Sequence, residues 1–486
     1  MPRNKILIIF LVFGVIALLA YLFYVQGLRI KPRPSNPEEM ARKKEVPWSL
    51  FERMAELGLF ALKVPAELGG KGLHQQEFNN VMSLLTSYGG PIAIAVTADN
   101  SIGCKFPVLN YGTQEQKEKF LPELIKWPSG FCFTEQDAGS DATGMRTYAV
   151  RIRNEGGLAG YEISGQKWYT TLAPYNDEKN LARYLAVVAK IVDKSSDLYD
   201  PKYKECFGIF IVPVDTPGVF IGPRNEFMGM DGIYNANPAF TNVCVPAFNL
   251  IGGEGNGFRI AMESLNQGRV SIAAGCTATA KQALLMSIWW ANKRKQFGKP
   301  LKAFEAISNK LVTGAANTFA MDTMTKFAAL MVDAKEDTRL DAAAAKLFAS
   351  EKMWEVADNM MQIFGGRGYE KRSSWIKRES FALPVERIFR DARPNRIFEG
   401  ATELITWKGM RDALADLDVF LKKGSWKNKF LAGSGFASRF LRSFLRYGIP
   451  RGFPKVLRRH LEFVDSGIRR IPNAILRLQH QGACLL

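Results

Sequence analysis

The chain has 486 residues, 47% hydrophobic, 12% aromatic and 23% charged, which excludes a disordered or fibrous polypeptide and predicts about three domains. Six cysteines from Cys104 to Cys484 include no C-x-x-C pair and there are three histidines, so a disulfide scaffold is excluded and a metal centre is not expected. The net charge of +18 invites a nucleic-acid reading, but residues 421–486 hold 14 Lys/Arg against Glu462 and Asp465, so +12 of the excess sits in one appendix and nucleic acid is not expected as a partner.

In chain order, Ile6–Leu28 is a 23-residue run without a charge. About 20 apolar residues span a bilayer, whereas the apolar part of a signal peptide covers only about 7–15. Residues 1–30 therefore read as a transmembrane anchor, followed by a linker over 31–47. Arg29, Lys31, Arg33, Arg42, Lys43 and Lys44 follow the run, against Arg3 and Lys5 before it. The positive-inside rule then predicts the bulk of the chain on the cytoplasmic side of a membrane.

Residues 48–130 read as mostly helical, with a turn at Leu68-Gly69-Gly70-Lys71-Gly72. Residues 131–250 change character. Thr147 to Arg153 partly alternates, and Leu185–Val192 and Phe207–Val212 are β-rich apolar runs. Residues 251–415 return to helical periodicity, including the Ala-rich stretch Asp341–Ala349. Helices, a small β domain and helices again make an α+β arrangement.

Residues 416–486 form a basic tail. Phe436, Phe440 and Phe444 recur every four residues beside Arg439, Arg442 and Arg446. That pattern reads as a helix lying on anionic membrane lipid, with a helix docked on the body and a solvated basic face as the alternative. Gly448, Pro450, Gly452 and Pro454 interrupt it, and Cys484 stands one place too late for a prenylation box.

Generic motifs identify no chemistry. The clusters Gly252–Gly257 and Gly365–Gly368 match neither a dinucleotide fingerprint nor a P-loop, and no H-E-x-x-H or G-x-S-x-G occurs. Four longer blocks carry more. They are Thr134-Glu135-Gln136-Asp137-Ala138-Gly139-Ser140-Asp141, Gly165-Gln166-Lys167-Trp168-Tyr169-Thr170-Thr171, Arg294-Lys295-Gln296-Phe297-Gly298-Lys299, and Gln362-Ile363-Phe364-Gly365-Gly366 paired with Phe389-Arg390-Asp391 through Ile397-Phe398-Glu399-Gly400. In this order and spacing the chain closely resembles the acyl-CoA dehydrogenase family over about residues 48–415, most like its membrane-associated long-chain members.

The resemblance implies an N-terminal helical domain, a central β domain and a C-terminal four-helix bundle, with FAD as cofactor and a homo-oligomer, dimer or tetramer. It implies α,β-desaturation of a fatty acyl-CoA to the trans-2-enoyl-CoA, with electrons passing to an electron-transfer flavoprotein or another acceptor. Glu399 matches the family's α-proton base, while the β-hydride goes to flavin N5. Gly400 follows the base, and the Glu399 backbone N–H is implied as a donor to the thioester oxygen. Some branches carry the base just before the arginine matched by Arg269, but here that position is Gly268.

By the same resemblance, Phe133, Thr134, Tyr169 and Thr171 are cofactor contacts of the β domain. Arg294, Gln362, Gly365 and Gly366 match contacts to the FAD of a neighbouring subunit, and Gln296 and Phe297 are further cofactor contacts. Ser140 and Arg269 match CoA-side positions. Three departures, Gln136-Asp137, Phe304-Glu305 and Ala401, fall on the FAD side and do not touch the base. They leave open a non-catalytic assembly factor of the same fold, and an oxygen-using acyl-CoA oxidase shares every feature quoted.

Overall fold

The computed structural model describes residues 46–174, 181–378 and 382–409. The anchor at 1–30 and the basic tail from residue 416 lie outside these residues. One described stretch, Gly90–Tyr111, is long and apolar enough to cross a membrane, but 78% of its apolar window is buried inside the protein. It therefore serves as core.

The first layer is helical: α1 (Trp48–Glu56), α2 (Gln75–Tyr88), α3 (Gly90–Ser101), α4 (Lys105–Tyr111) and α5 (Gln114–Leu124). Phe51, Phe60, Phe78, Met82 and Val96 fill its core together with Leu172 and Tyr234 from the β domain. The Tyr234 hydroxyl donates to the Val46 carbonyl at 2.8 Å, which ties the two domains. A second tie is the buried pair Lys105–Asp99, 2.5 Å apart. The same Asp99 oxygen accepts from the Ser129 N–H at 2.9 Å, so the entry to the β domain is fixed by a charge that water cannot screen.

The middle domain is an eight-stranded sheet. Its path runs β10 (Leu250–Ile251), β6 (Phe207–Pro213), β5 (Tyr184–Val192), β2 (Tyr148–Asn154), β3 (Gly157–Gln166), β9 (Ala239–Pro246) and β7 (Val219–Phe220), with β1 (Gly130–Cys132) parallel to β5. A separate two-stranded pair joins β4 (Thr170–Thr171) to β8 (Asn235–Ala236). The unbroken apolarity of β5 has a structural cause. Leu185, Val187, Ala189 and Ile191 face the inner core with Phe210 and Val212. Ala186 and Val188 face the helices, against Val108, Phe120, Leu124 and Ile260. Both faces are covered, so the alternation expected of a half-solvated strand is absent.

The last layer is built on α6 (Gly257–Lys293), α7 (Glu305–Asp333) and α8 (Arg339–Phe364). The short helices α9 (Gly366–Tyr369), α10 (Arg372–Ile376) and α11 (Val385–Ala392) follow. Among the described residues three long helices thus form the body, α11 packs against α8, and a further helical stretch over 402–409 runs to the last described residue. The helices meet through small residues, among them Ala273, Ala280, Ala342, Ala345 and Ala349. α6 begins against the sheet, where a Cβ on Gly257 would stand 2.3 Å from the Gly208 carbonyl carbon. Glycine on both sides lets this one helix serve both domains.

Candidate active site

A cavity of about 80 Å³ lies where α2, α3, α6 and α11 converge. Gly89, Gly90, Ala93 and Ile94 line one side, Ile272, Gly275 and Cys276 another, and Met230, Phe398 and Glu399 close it. Thr86, Ser87, Thr279 and Gln282 add polar atoms at one part of the wall.

Glu399 is held by its backbone. Its φ is 56° and that of Gly400 is 103°, a left-handed pair that costs a non-glycine residue roughly 1–2 kcal/mol. Two cations hold the strained turn. Arg269 Nε, from α6, donates to the Glu399 carbonyl at 3.0 Å, and Lys346 Nζ, from α8, donates to the Gly400 carbonyl at 2.7 Å. The carboxylate is treated differently: Glu399 Oε2 is buried with no hydrogen-bond partner. Burial pushes its pKa up from 4.5 to about 8, against the opposing pull of Arg269 and Lys346. A Cβ on Gly268 would stand 2.3 Å from Oε2, so glycine here clears the space the carboxylate occupies.

The loop preceding β8 closes the cavity. Met230, at φ 56°, donates its N–H to Asp391 Oδ1 at 2.5 Å. Arg390 Nη1 donates to the Met228 carbonyl and to Asp231 Oδ2, both at 2.9 Å. The Arg390-Asp391 pair of α11 thereby clamps the loop over the cavity. Desolvation raises the pKa of Asp391 to about 6.

A second group lies on the β domain. Tyr169 has φ 59° and is 54% exposed. Its N–H donates to Asn237 Oδ1 at 3.0 Å and its carbonyl accepts from Asn235 Nδ2 at 2.8 Å. Asn235 Nδ2 also donates to Thr171 Oγ1 at 3.0 Å, which leaves the threonine proton free to donate elsewhere. The Trp168 N–H donates to the Thr134 carbonyl at 2.8 Å, so the Phe133–Thr134 segment and the Tyr169 segment lie side by side. Beneath them Lys167 and Glu135 form a buried pair at 2.8 Å. Burial opposes the Glu135 charge, yet Lys167 holds its carboxyl below the usual range.

This group fits a flavin. It offers an aromatic face in a strained, clamped backbone, a hydroxyl with a spare proton, and the buried Trp168 Nε1 without a partner. Phe133, Thr134, Tyr169 and Thr171, the cofactor contacts expected of the β domain, thus lie in one group.

The remaining expected residues lie elsewhere. Arg294 ends α6, and β11 (Lys295–Gln296) and β12 (Lys299–Pro300) form a hairpin turning at Phe297 and Gly298. Arg294, Gln296, Gln362, Gly365 and Gly366 are all exposed to some degree, and Phe297 is 93% exposed. Ser140 is exposed in a bend. Arg269, the other residue expected on the CoA side, lies in the interior. It is 7% exposed, and besides Glu399 it bonds Asn266 Oδ1 at 2.8 Å, so it stands behind the base rather than on an open face. The sequence reading missed Lys346, Met230 and the asparagine clamp on Tyr169. For Lys346 a signal existed: a lone lysine on the helical face of Ala342, Ala345 and Ala349.

Comparison with known proteins agrees with this architecture. The acyl-CoA dehydrogenase N-terminal, middle and C-terminal domain models match residues 29–127, 130–243 and 255–413. A probable acyl-CoA dehydrogenase FadE10 of Mycobacterium tuberculosis is 36% identical over 88% of this chain, which spans 66% of that relative. The human mitochondrial very long-chain specific acyl-CoA dehydrogenase is 32% identical over 83% of this chain and 57% of its own length. A probable acyl-CoA dehydrogenase YngJ of Bacillus subtilis is 34% identical over 76% of this chain and 90% of its own. Among solved structures, butyryl-CoA dehydrogenase from Megasphaera elsdenii superposes with a TM-score of 0.69 at 31% identity, covering 78% of this chain and 93% of its own. An acyl-CoA dehydrogenase from Bacillus anthracis complexed with FAD gives 0.69 at 28% identity, covering 84% and 68%. The helical, β and helical order, the matched domains and these likenesses place the chain in the acyl-CoA dehydrogenase family of FAD flavoproteins.

Proposed function

We propose that this protein is an FAD-dependent acyl-CoA dehydrogenase that desaturates a long-chain fatty acyl-CoA between Cα and Cβ in fatty-acid β-oxidation, with Glu399 as the α-proton base. The unpartnered, buried Oε2 of Glu399, at the edge of the cavity, carries the reading. A carboxylate in that setting has lost the water that would weaken it as a base, and its raised pKa matches it to a weakly acidic C–H. The proton leaves Cα for Glu399 Oε2. FAD, when bound, supplies the two-electron acceptor. Arg269 and Lys346 hold the turn so that the carboxylate reaches one place. Met230, Ile272 and Phe398 keep the acyl carbons dry.

The exposed set Arg294, Gln296, Phe297, Gln362, Gly365 and Gly366 supports contacts to the FAD of a second copy, since a guanidinium fork suits pyrophosphate. Ser140 remains our proposed CoA-side contact. A long acyl chain is supported by the very long-chain relative and by the run Ile6–Leu28. That run further supports a membrane anchor with the catalytic body on the cytoplasmic side. A solved electron transferring flavoprotein structure of Acidaminococcus fermentans is similar to this chain at a TM-score of 0.68 and 27% identity. It supports an electron-transfer flavoprotein as acceptor.

An anaerobic absorption spectrum of the detergent-purified protein, before and after palmitoyl-CoA, tests the reading. Bleaching of the flavin band is expected. A yellow protein that no acyl-CoA bleaches overturns it.

A further inference from the structure

Lys346 is fully buried in the helical body, and Ala342, Ala345 and Ala349 of its own helix are buried with it. An ammonium taken out of water costs several kcal/mol unless something compensates. Desolvation accordingly pulls the Lys346 pKa down to about 8, while the Glu399 carboxylate favours its charge. Its hydrogen bond is to the Gly400 carbonyl, one peptide beyond Glu399.

We infer that Lys346 is a positioning residue for the base: its ammonium fixes the Glu399–Gly400 turn from the α8 side and supplies a positive charge beside the Glu399 carboxylate. The inference rests on the dehydrogenase reading for its consequence, but not for its geometry. The two carbonyls of this turn are each held by a cation, from two different helices. With Arg269 alone, the Gly400 peptide is free to rotate out of its left-handed conformation. Glu399 Oε2 has no hydrogen bond of its own to hold it, so the carboxylate would move with the turn.

The charges around Glu399 are few. Arg269 comes from α6 and Lys346 from α8. Cys276 on α6 has its thiol pKa pushed up to about 12 by burial and stays neutral. Glu351 on α8 is taken by Arg396 Nε at 2.7 Å and Thr402 Oγ1 at 2.5 Å. Asp391, which lines the cavity with Arg387 from α11, is taken by the Met230 N–H. Lys346 is thus one of two cations that favour the ionised base.

Lys346→Met and Lys346→Gln in the full-length holoenzyme test this. Both should keep FAD and bind the enoyl-CoA product within about threefold of wild type, yet be reduced by palmitoyl-CoA on the order of 100-fold more slowly. The midpoint of the reduction rate against pH should rise by about 1, since a cation no longer favours the carboxylate. The infrared carboxyl band of Glu399, assigned by its loss in Glu399→Gln, should move its midpoint upward by the same amount without substrate. Should the methionine variant lose FAD, the glutamine variant carries the comparison. Unchanged rates and midpoints in a variant that keeps FAD overturn the inference, as does weaker binding with an unmoved midpoint. If wild type itself is not bleached, the dehydrogenase reading falls instead, and the infrared midpoint still decides the role of Lys346.

Discussion

The cavity around Glu399 and the hairpin at Phe297 belong to the same helical domain, and they are built on opposite terms. At Glu399, helices bury a carboxylate and two cations and bond both carbonyls of the turn, while the buried carboxylate oxygen Oε2 has no partner. At the hairpin, a phenylalanine is 93% exposed and an arginine beside it faces outward. Leaving such a side chain bare forgoes about 2 kcal/mol of burial. The contrast separates two tasks. Tuning a base requires desolvation, which one chain can supply by packing its own helices. The hairpin presents side chains that only a second surface could cover, and the homo-oligomer proposed above supplies one.

The largest expected effect breaks the buried side of this comparison. Glu399→Gln should retain FAD and lose about 10³-fold or more in the rate of flavin bleaching by palmitoyl-CoA. Retention of most of the rate would remove Glu399 as base. Gly268→Ala comes next, because its methyl would stand 2.3 Å from Glu399 Oε2. Displacing the carboxylate should slow reduction on the order of 100-fold, with FAD content unchanged by absorbance.

The exposed side predicts smaller losses. Arg294→Ala should weaken FAD retention on gel filtration roughly tenfold, as expected for one lost charge-assisted pyrophosphate contact. Phe297→Asp should move the protein toward monomer in analytical ultracentrifugation. An unchanged oligomer with full FAD content would show that the hairpin is merely surface.

A stability measurement sharpens the buried side further. The Glu399 carboxyl has a folded pKa of about 8, above its ordinary 4.5. Below pH 4.5 both folded and unfolded states are protonated, so burial of the neutral acid costs nothing extra. Between pH 4.5 and about 8 the unfolded chain releases the proton first, and folded stability falls as pH rises. A tenfold difference in proton affinity between the two states is worth about 1.4 kcal/mol, so Glu399→Gln should gain on the order of 4 kcal/mol over wild type at about pH 8 and nothing at about pH 4. Thermal unfolding at the two pH values checks this. A last test concerns residues 421–486. Removing them from a form lacking residues 1–30 should weaken binding to phosphatidylserine vesicles in sedimentation, by about 1 kcal/mol per membrane-facing Lys/Arg.

The amino-acid order by itself determined the three-part organisation, because the hydrophobic period changes from helical to extended near residue 131 and back near residue 251. It determined the family as well, since four blocks in fixed order carry that likeness, and it singled out Glu399 through the Phe398-Glu399-Gly400 context. It also set the polarity of the tail and the apolarity of residues 6–28.

Only the tertiary structure decided the rest. Arg269 and Lys346 lie 77 residues apart in sequence, and they stand 130 and 53 residues from Glu399; their meeting depends on how α6 and α8 pack. The left-handed conformations of Tyr169, Met230, Phe297 and Glu399 run against local preference. Asn235 and Asn237 hold the first from a distance, Asp391 the second, and Arg269 and Lys346 the fourth. The pKa of Glu399 likewise has no local cause. It reflects the loss of water around one oxygen, and that loss exists only after the helices have closed over it.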